Sequence, residues 1–163
     1  MGVLVVRRVS EGATEFLAYA SGYHFEFRWY LPMAKRKPEI RLRSYGIYER
    51  WDSQEKALPK IKEFTLDVPA VVDIEFGLIV NIKGAKNQQL DFCIDHPGIL
   101  DAQGERRSPF DGSEYVKTND WNFYLGDTIW LPLEDKLGKW RMTVELGGKV
   151  IAEKVFNITL PNN

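Results

Sequence analysis

Residues 71–84 read VVDIEFGLIVNIKG. Val72, Ile74, Phe76, Leu78, Val80 and Ile82 are all apolar, while the intervening positions run Asp73, Glu75, Gly77, Ile79, Asn81 and Lys83. A period of two held over that length is the pattern of a β-strand, because successive side chains leave a strand on opposite faces. A helix would need apolar residues three and four apart, and Asp73 and Lys83 interrupt any such stripe. The expected strand therefore buries its even face and leaves Glu75 and Asn81 mostly wet.

The same reading extends outward. In 137–161, LGKWRMTVELGGKVIAEKVFNITLP, one face holds Trp140, Met142, Val144 and Leu146 and the other Arg141, Thr143 and Glu145. Gly147-Gly148 supplies the positive φ of a tight hairpin turn. On the return strand Ile151 and Phe156 lie an odd number of residues apart, so a β-bulge is expected near Glu153-Lys154, returning Phe156, Ile158 and Leu160 to the inside. Residues 22–31, 3–6, 39–48, 61–66, 89–95, 121–125 and 128–131 are further strand candidates. Residues 95–115 read as a long surface loop, and 52–58 as the single helix candidate, with Asp52 or Ser53 as N-cap and Pro59 as its stop. Many short strands, each with one apolar face, must close on one another. An all-β fold, an immunoglobulin-like antiparallel β-sandwich, is the expected architecture.

The 163 residues suffice for one well-buried core. Their 22 basic and 23 acidic side chains leave a net charge of −1. That balance provides no long-range field for DNA, RNA or an anionic membrane, so neither nucleic acid nor membrane is expected as a partner. MAKRKP, at 33–38, is the one compact basic cluster. Cys93 is the sole cysteine, so no intrachain disulfide can form, which fits a reducing compartment. AYAS at 18–21 resembles a cleavage site, but Arg7, Arg8, Glu11 and Glu15 occupy the place of an apolar signal core. A cytoplasmic protein is expected.

Met33 opens what looks like a second beginning. The expected organisation is an N-terminal extension over 1–32, real or arising from an early start codon, followed by a sandwich domain over 33–163. The segments RSYGIYE (43–49), VPAVVDIEFGLIVNIKGAK (68–86), IDHP (94–97), NDWNFYLGDTIW (119–130) and GKWRMTVELGGKVIAEKVFNI (138–158) resemble an uncharacterised bacterial family of small all-β proteins, known only as a domain of unknown function. The resemblance implies an immunoglobulin-like sandwich and no catalytic role.

Chemistry-bearing constellations are sparse. On a strand, Cys93 shares a face with Asp91 and Asp95, while His96 falls on the opposite face, so a thiol–imidazole pair is not expected. No second cysteine completes a zinc set. Asp91, Asp95, Asp101, Asp111, Asp120 and Asp127 sit in or near loops without a calcium-loop spacing, and a turn role suits them better. Phosphate loops, nucleophile elbows and HExxH are absent. Trp140 and Phe123 read as core. Trp121, after the loop-like KTND, is the aromatic most suited to an exposed contact.

The leading expectation is a non-catalytic domain that binds a protein partner or a second copy through loops or an edge strand, with 72–82 as a template if outermost. No enzyme activity, cofactor or metal is expected. The alternative is a carbohydrate or small-ligand binding module using Asp95, His96, Asp120 and Trp121.

Overall fold

The computed structural model describes residues 5–9, 13–17, 36–51 and 57–161. The expected strand at 22–31 lies outside the described residues, as does most of the expected helix, at 52–56. The chain divides into two compact units, Met1–Lys35 and Arg36–Asn163. In the first, β1 (Val5–Val9) and β2 (Ala13–Leu17) pair antiparallel, Val5 opposite Leu17.

The second unit is a two-sheet sandwich. Its strands are β3 (Glu39–Tyr48), β4 (Ile61–Glu63), β5 (Asp67–Pro69), β6 (Glu75–Lys83), β7 (Gln89–Asp95), β8 (Phe110–Tyr115), β9 (Asp120–Thr128), β10 (Gly138–Leu146) and β11 (Lys149–Thr159). One sheet has the order β4-β3-β6-β9 and the other β5-β11-β10-β7-β8. All pairings are antiparallel except that of β5 with β11. Phe76, Leu78, Val80 and Ile82 from one sheet meet Trp140, Met142, Val144 and Phe156 from the other, all fully buried. The rings of Phe76, Trp140 and Phe156 pack edge to face at 5.4–5.5 Å, which is the preferred geometry of aromatic pairs. Phe123 is buried in the same core.

Four expectations are corrected. First, β6 is central and buried on both faces, with Glu75 and Asn81 only 4% and 7% exposed. Its supposedly wet face is covered by a second cluster in which Trp51, Leu58 and Ile61 pack against Tyr48, Ile79 and Tyr124. Second, the bulge falls earlier on β11. Val144 pairs with Ala152 and Glu145 with Val150, so Ile151 is the extra residue. Lys154 therefore keeps an inward register position opposite Met142, and its ammonium escapes to the rim, 4.1 Å over the Tyr45 ring. A long stem lets lysine occupy such a position without burying its charge.

Third, 110–115 is strand β8 and not loop. FDGSEY lacks the alternation of a half-buried strand because it is an edge with one neighbour, β7. Fourth, the candidate at 61–66 ends at Glu63, and 128–131 is no separate strand, since Thr128 closes β9, which runs longer than the expected 121–125.

Glycines stand opposite one another across three strands, Gly46 facing Gly77 and Gly77 facing Gly126. At each, the space a Cβ would need is already taken: by the Glu63 carbonyl at Gly46, the Leu125 carbonyl at Gly77 and the Tyr124 hydroxyl at Gly126. The tyrosine ring lies along its own strand over Gly126, which only a missing side chain permits.

Candidate functional site

Tyr124, lying in that gap, donates its hydroxyl to Glu75 Oε1 at 2.6 Å. Thr128 donates to Glu75 Oε2, also at 2.6 Å. Two hydroxyls thus satisfy a carboxylate in the covered face of the four-stranded sheet. Asp127, beside it, accepts the Thr128 backbone N–H at 2.7 Å. Burial, reinforced by the Glu75 charge, pushes the Asp127 carboxyl up to about 6. Burial also raises the Tyr124 phenol well above its ordinary range, with Glu75 adding to it. Tyr48 donates to Ser44 at 2.9 Å and is raised by burial to about 12. Reading the odd positions of 71–84 as wet conceals this network. The available signal is Ile79, an apolar residue on that face.

Asp95, His96, Asp120 and Trp121 do not converge. The turn between β6 and β7 places Lys83 and Gln89 at one end of the sandwich. Asp120 and Trp121 pair with Lys83 and Ile82 at that same end. Asp95 closes β7 at the other end, roughly 20 Å away at a rise of ~3.3 Å per residue. His96 is 1% exposed. Its Nδ1 accepts the Ile99 N–H at 3.1 Å, which leaves Nε2 to donate to the Ser108 carbonyl at 3.2 Å. That pattern is the neutral imidazole, and burial lowers its basicity accordingly. Its ring packs 5.1 Å from Phe110 and 6.1 Å from Trp140.

Asp95 accepts Arg106 Nη2 at 2.7 Å, and the same nitrogen reaches the His96 carbonyl. Asp120 accepts Asn81 Nδ2 at 2.7 Å, which holds its carboxyl below the usual range with help from Lys83. Trp121 is half-buried, its ring tilted against Phe123 at 5.5 Å with the Lys117 ammonium 5.8 Å above it. Asp101 serves its own turn, accepting the N–H groups of Gln103 and Glu105 at 2.9 Å each. A fully buried lysine escapes sequence reasoning altogether: Lys136 donates to the Pro132 carbonyl at 3.0 Å and to Asp135, under the Trp130 ring.

Two exposed surfaces bear on function. The outer face of the five-stranded sheet holds a cleft of about 810 Å³ lined by Asp91, Cys93, Asp111 and Glu145. Cys93 lies opposite Thr143 and Asp111, on the other side of the sheet from the His96 ring. Burial, with the charges of Asp95, Asp111 and Glu145, raises its thiol above the ordinary value. The second surface is the set of sheet edges. As an interior strand, β6 cannot serve as the template that 72–82 offered. The edges are β4, β5, β8 and β9. Three are guarded: β4 is three residues with Lys62 and Glu63, β5 is three residues ending in Pro69, and β8 follows Pro109 and carries Asp111 and Glu114. β9 is nine residues long, with neither charge nor proline from Trp121 to Gly126. Among the described residues its backbone pairs with β6 alone.

Two sheets packed face to face, antiparallel but for the β5–β11 pair, define an immunoglobulin-like sandwich domain. Residues 36–158 match the domain of unknown function DUF3859, and the chain belongs to that family. An immunoglobulin-like protein from Pseudomonas aeruginosa, solved by crystallography, superposes with a TM-score of 0.59. It is 24% identical, and the match covers 74% of this chain and 97% of that one. A DNA-bound alkylpurine DNA glycosylase from Pseudomonas fluorescens matches at a TM-score of 0.39 and 10% identity, over 74% of this chain and 30% of the other, and carries no argument. No curated protein matches the chain. Among the described residues no helix is long and apolar enough to cross a membrane.

Proposed function

We propose that this chain is a non-catalytic, cytoplasmic interaction domain that adds an extended segment of a protein partner, or of a second copy, to the free edge of β9. The observation that carries this reading is the contrast among the edges. β4, β5 and β8 are short, charged or flanked by proline, which are the usual protections against strand addition. β9 has the length and the uncharged centre that strand addition uses. Two placements support a non-catalytic role: the Cys93 thiol and the His96 ring occupy opposite sides of a sheet, and Glu75 is 4% exposed. The single cysteine supports a reducing compartment.

The test is capture of partners from native lysate on the full chain, followed by hydrogen–deuterium exchange on the recovered complex. Slowed exchange confined to the amides of 120–128 is expected. Slowing centred on 91–113, or a complex that leaves 120–128 unchanged, would reject the edge. If nothing is captured, sedimentation of the protein alone decides: a concentration-dependent dimer keeps the self-pairing version, and a monomer ends the proposal.

A further inference from the structure

A pocket of about 580 Å³ opens on the outer face of the four-stranded sheet, between β3, β9 and the segment entering β4. Its volume falls in the range of small-molecule sites. Ile79 forms part of its lining, with Leu58 and Ile61 from the entering segment. That segment is tied to β3 by the Glu49 N–H, which donates to the Lys60 carbonyl at 2.8 Å.

The polar lining has one sign of hydrogen-bonding capacity. Asn122 Oδ1 accepts from Asn81 at 3.0 Å and from Arg43 at 3.4 Å, so its NH₂ group remains to donate. Ser44 Oγ accepts from Tyr48, leaving its own O–H to donate. Arg43 and Lys60 contribute donors only. The neighbouring cations are neutralised, Arg41 by Glu39 and Lys83 by Asp120. Among the described residues neither Arg43 nor Lys60 has a carboxylate partner, and no carboxylate lines the pocket. Among the described residues the pocket is lined by donors and by two positive charges without a carboxylate at ion-pair distance, the nearest opposition to Arg43 being the Asp120 charge outside the lining. A ligand head made of acceptors with negative charge would complement them. The apolar residues supply a place for a hydrocarbon body.

We infer that this pocket binds a small amphipathic anion, a single acidic head group on an apolar chain. The head sits among Arg43, Lys60 and Asn122, and the chain covers Ile79, Leu58 and Ile61. The site is separate from strand addition at β9 and stands or falls without it.

The experiment is an amide-resolved NMR titration of the full chain with octanoate, octylamine and inorganic phosphate in parallel. Octanoate is expected to shift the resonances of 43, 44, 60 and 122 saturably at one site. Octylamine, which carries the opposite charge on the same chain, is expected to bind at least about tenfold more weakly. A double variant, Arg43→Gln with Lys60→Gln, should lose about tenfold in octanoate affinity at an unchanged melting temperature, both side chains being exposed. Equal binding of octylamine, or octanoate shifts that gather outside the pocket, would overturn the inference. So would the absence of saturation by about 10 mM, weaker than a millimolar site. Phosphate binding as strong as octanoate would overturn the apolar half of the assignment.

Discussion

On the outer face of the four-stranded sheet, Glu75 and Asn81 are buried and bonded to the neighbouring strand; on the outer face of the five-stranded sheet, Asp91, Asp111 and Glu145 stand in or near water. Both faces read as alternating polar positions. What separates them is cover. Trp51, Leu58 and Ile61 close over the part of the first around Tyr48, Ile79 and Tyr124, whereas nothing among the described residues closes over the second. A polar side chain under cover must find partners within the protein, and one in water need not. The consequence is that carboxylates of identical chemistry have different energetic weight on the two faces.

The comparison is tested most severely at Glu75. Glu75→Ala leaves the Thr128 hydroxyl without its acceptor and the Tyr124 hydroxyl with only the Phe76 carbonyl, 3.4 Å away. The expected loss is roughly 1 to 4 kcal/mol in urea unfolding, about 1 to 3 for the orphaned Thr128 hydroxyl and less for Tyr124. A loss of only a few tenths would mean that water reaches this face and the contrast fails.

Asp127, opposite Phe76 on the inward side of β9, extends the comparison to a second buried carboxylate, through pH. Its carboxyl is raised from an ordinary 3.8 to about 6, so the folded protein holds this proton more tightly than the unfolded chain. The associated stability is fully present below pH 3.8 and is lost as pH rises through 6. Asp127→Asn can still accept the Thr128 N–H and has no charge to bury. Relative to wild type it should gain roughly 2 kcal/mol between pH 4 and pH 8, since each tenfold tightening of the proton is worth about 1.4 kcal/mol and part of the change lies below pH 4. A flat difference across that interval would mean that the Asp127 carboxyl is not held away from water.

The smallest effect is expected on the wet face. Asp111→Asn should alter stability by less than about 0.5 kcal/mol, as exposed substitutions commonly do. Because Asp111 is one of the charges holding the Cys93 thiol up, the variant should react faster with an aromatic disulfide at pH 8. The change stays modest because burial, the larger cause, remains.

The sandwich is legible in the sequence because period-two alternation reports directly on which side of a strand meets the core. Phe76, Leu78, Trp140 and Phe123 all follow from it. What alternation cannot report is what lies over the other side. Trp51 reaches Tyr124, 5.3 Å away between rings, from a distant part of the chain, and no local pattern announces such a contact. The bulge is legible in kind but not in place, because alternation alone treats Lys154 as unable to point inward. Its neighbour Tyr45 gives the ammonium an exit. The four residues Asp95, His96, Asp120 and Trp121 are linked in the sequence by chemical suitability alone. Register sets the two pairs at opposite ends of the sandwich, a fact that depends on the β6–β7 turn and not on any of the four.

The row formed by Gly46, Gly77 and Gly126 has a bearing on how this chain can change over generations. Each position is closed to alanine by something another part of the chain supplies: a carbonyl from Glu63, a carbonyl from Leu125, the hydroxyl of Tyr124. None of the three can drift alone, since a methyl group at any one demands that a neighbouring backbone or ring give way. They are scattered along the chain and adjacent in space, two of them letting backbones approach and the third, Gly126, letting a tyrosine reach a glutamate.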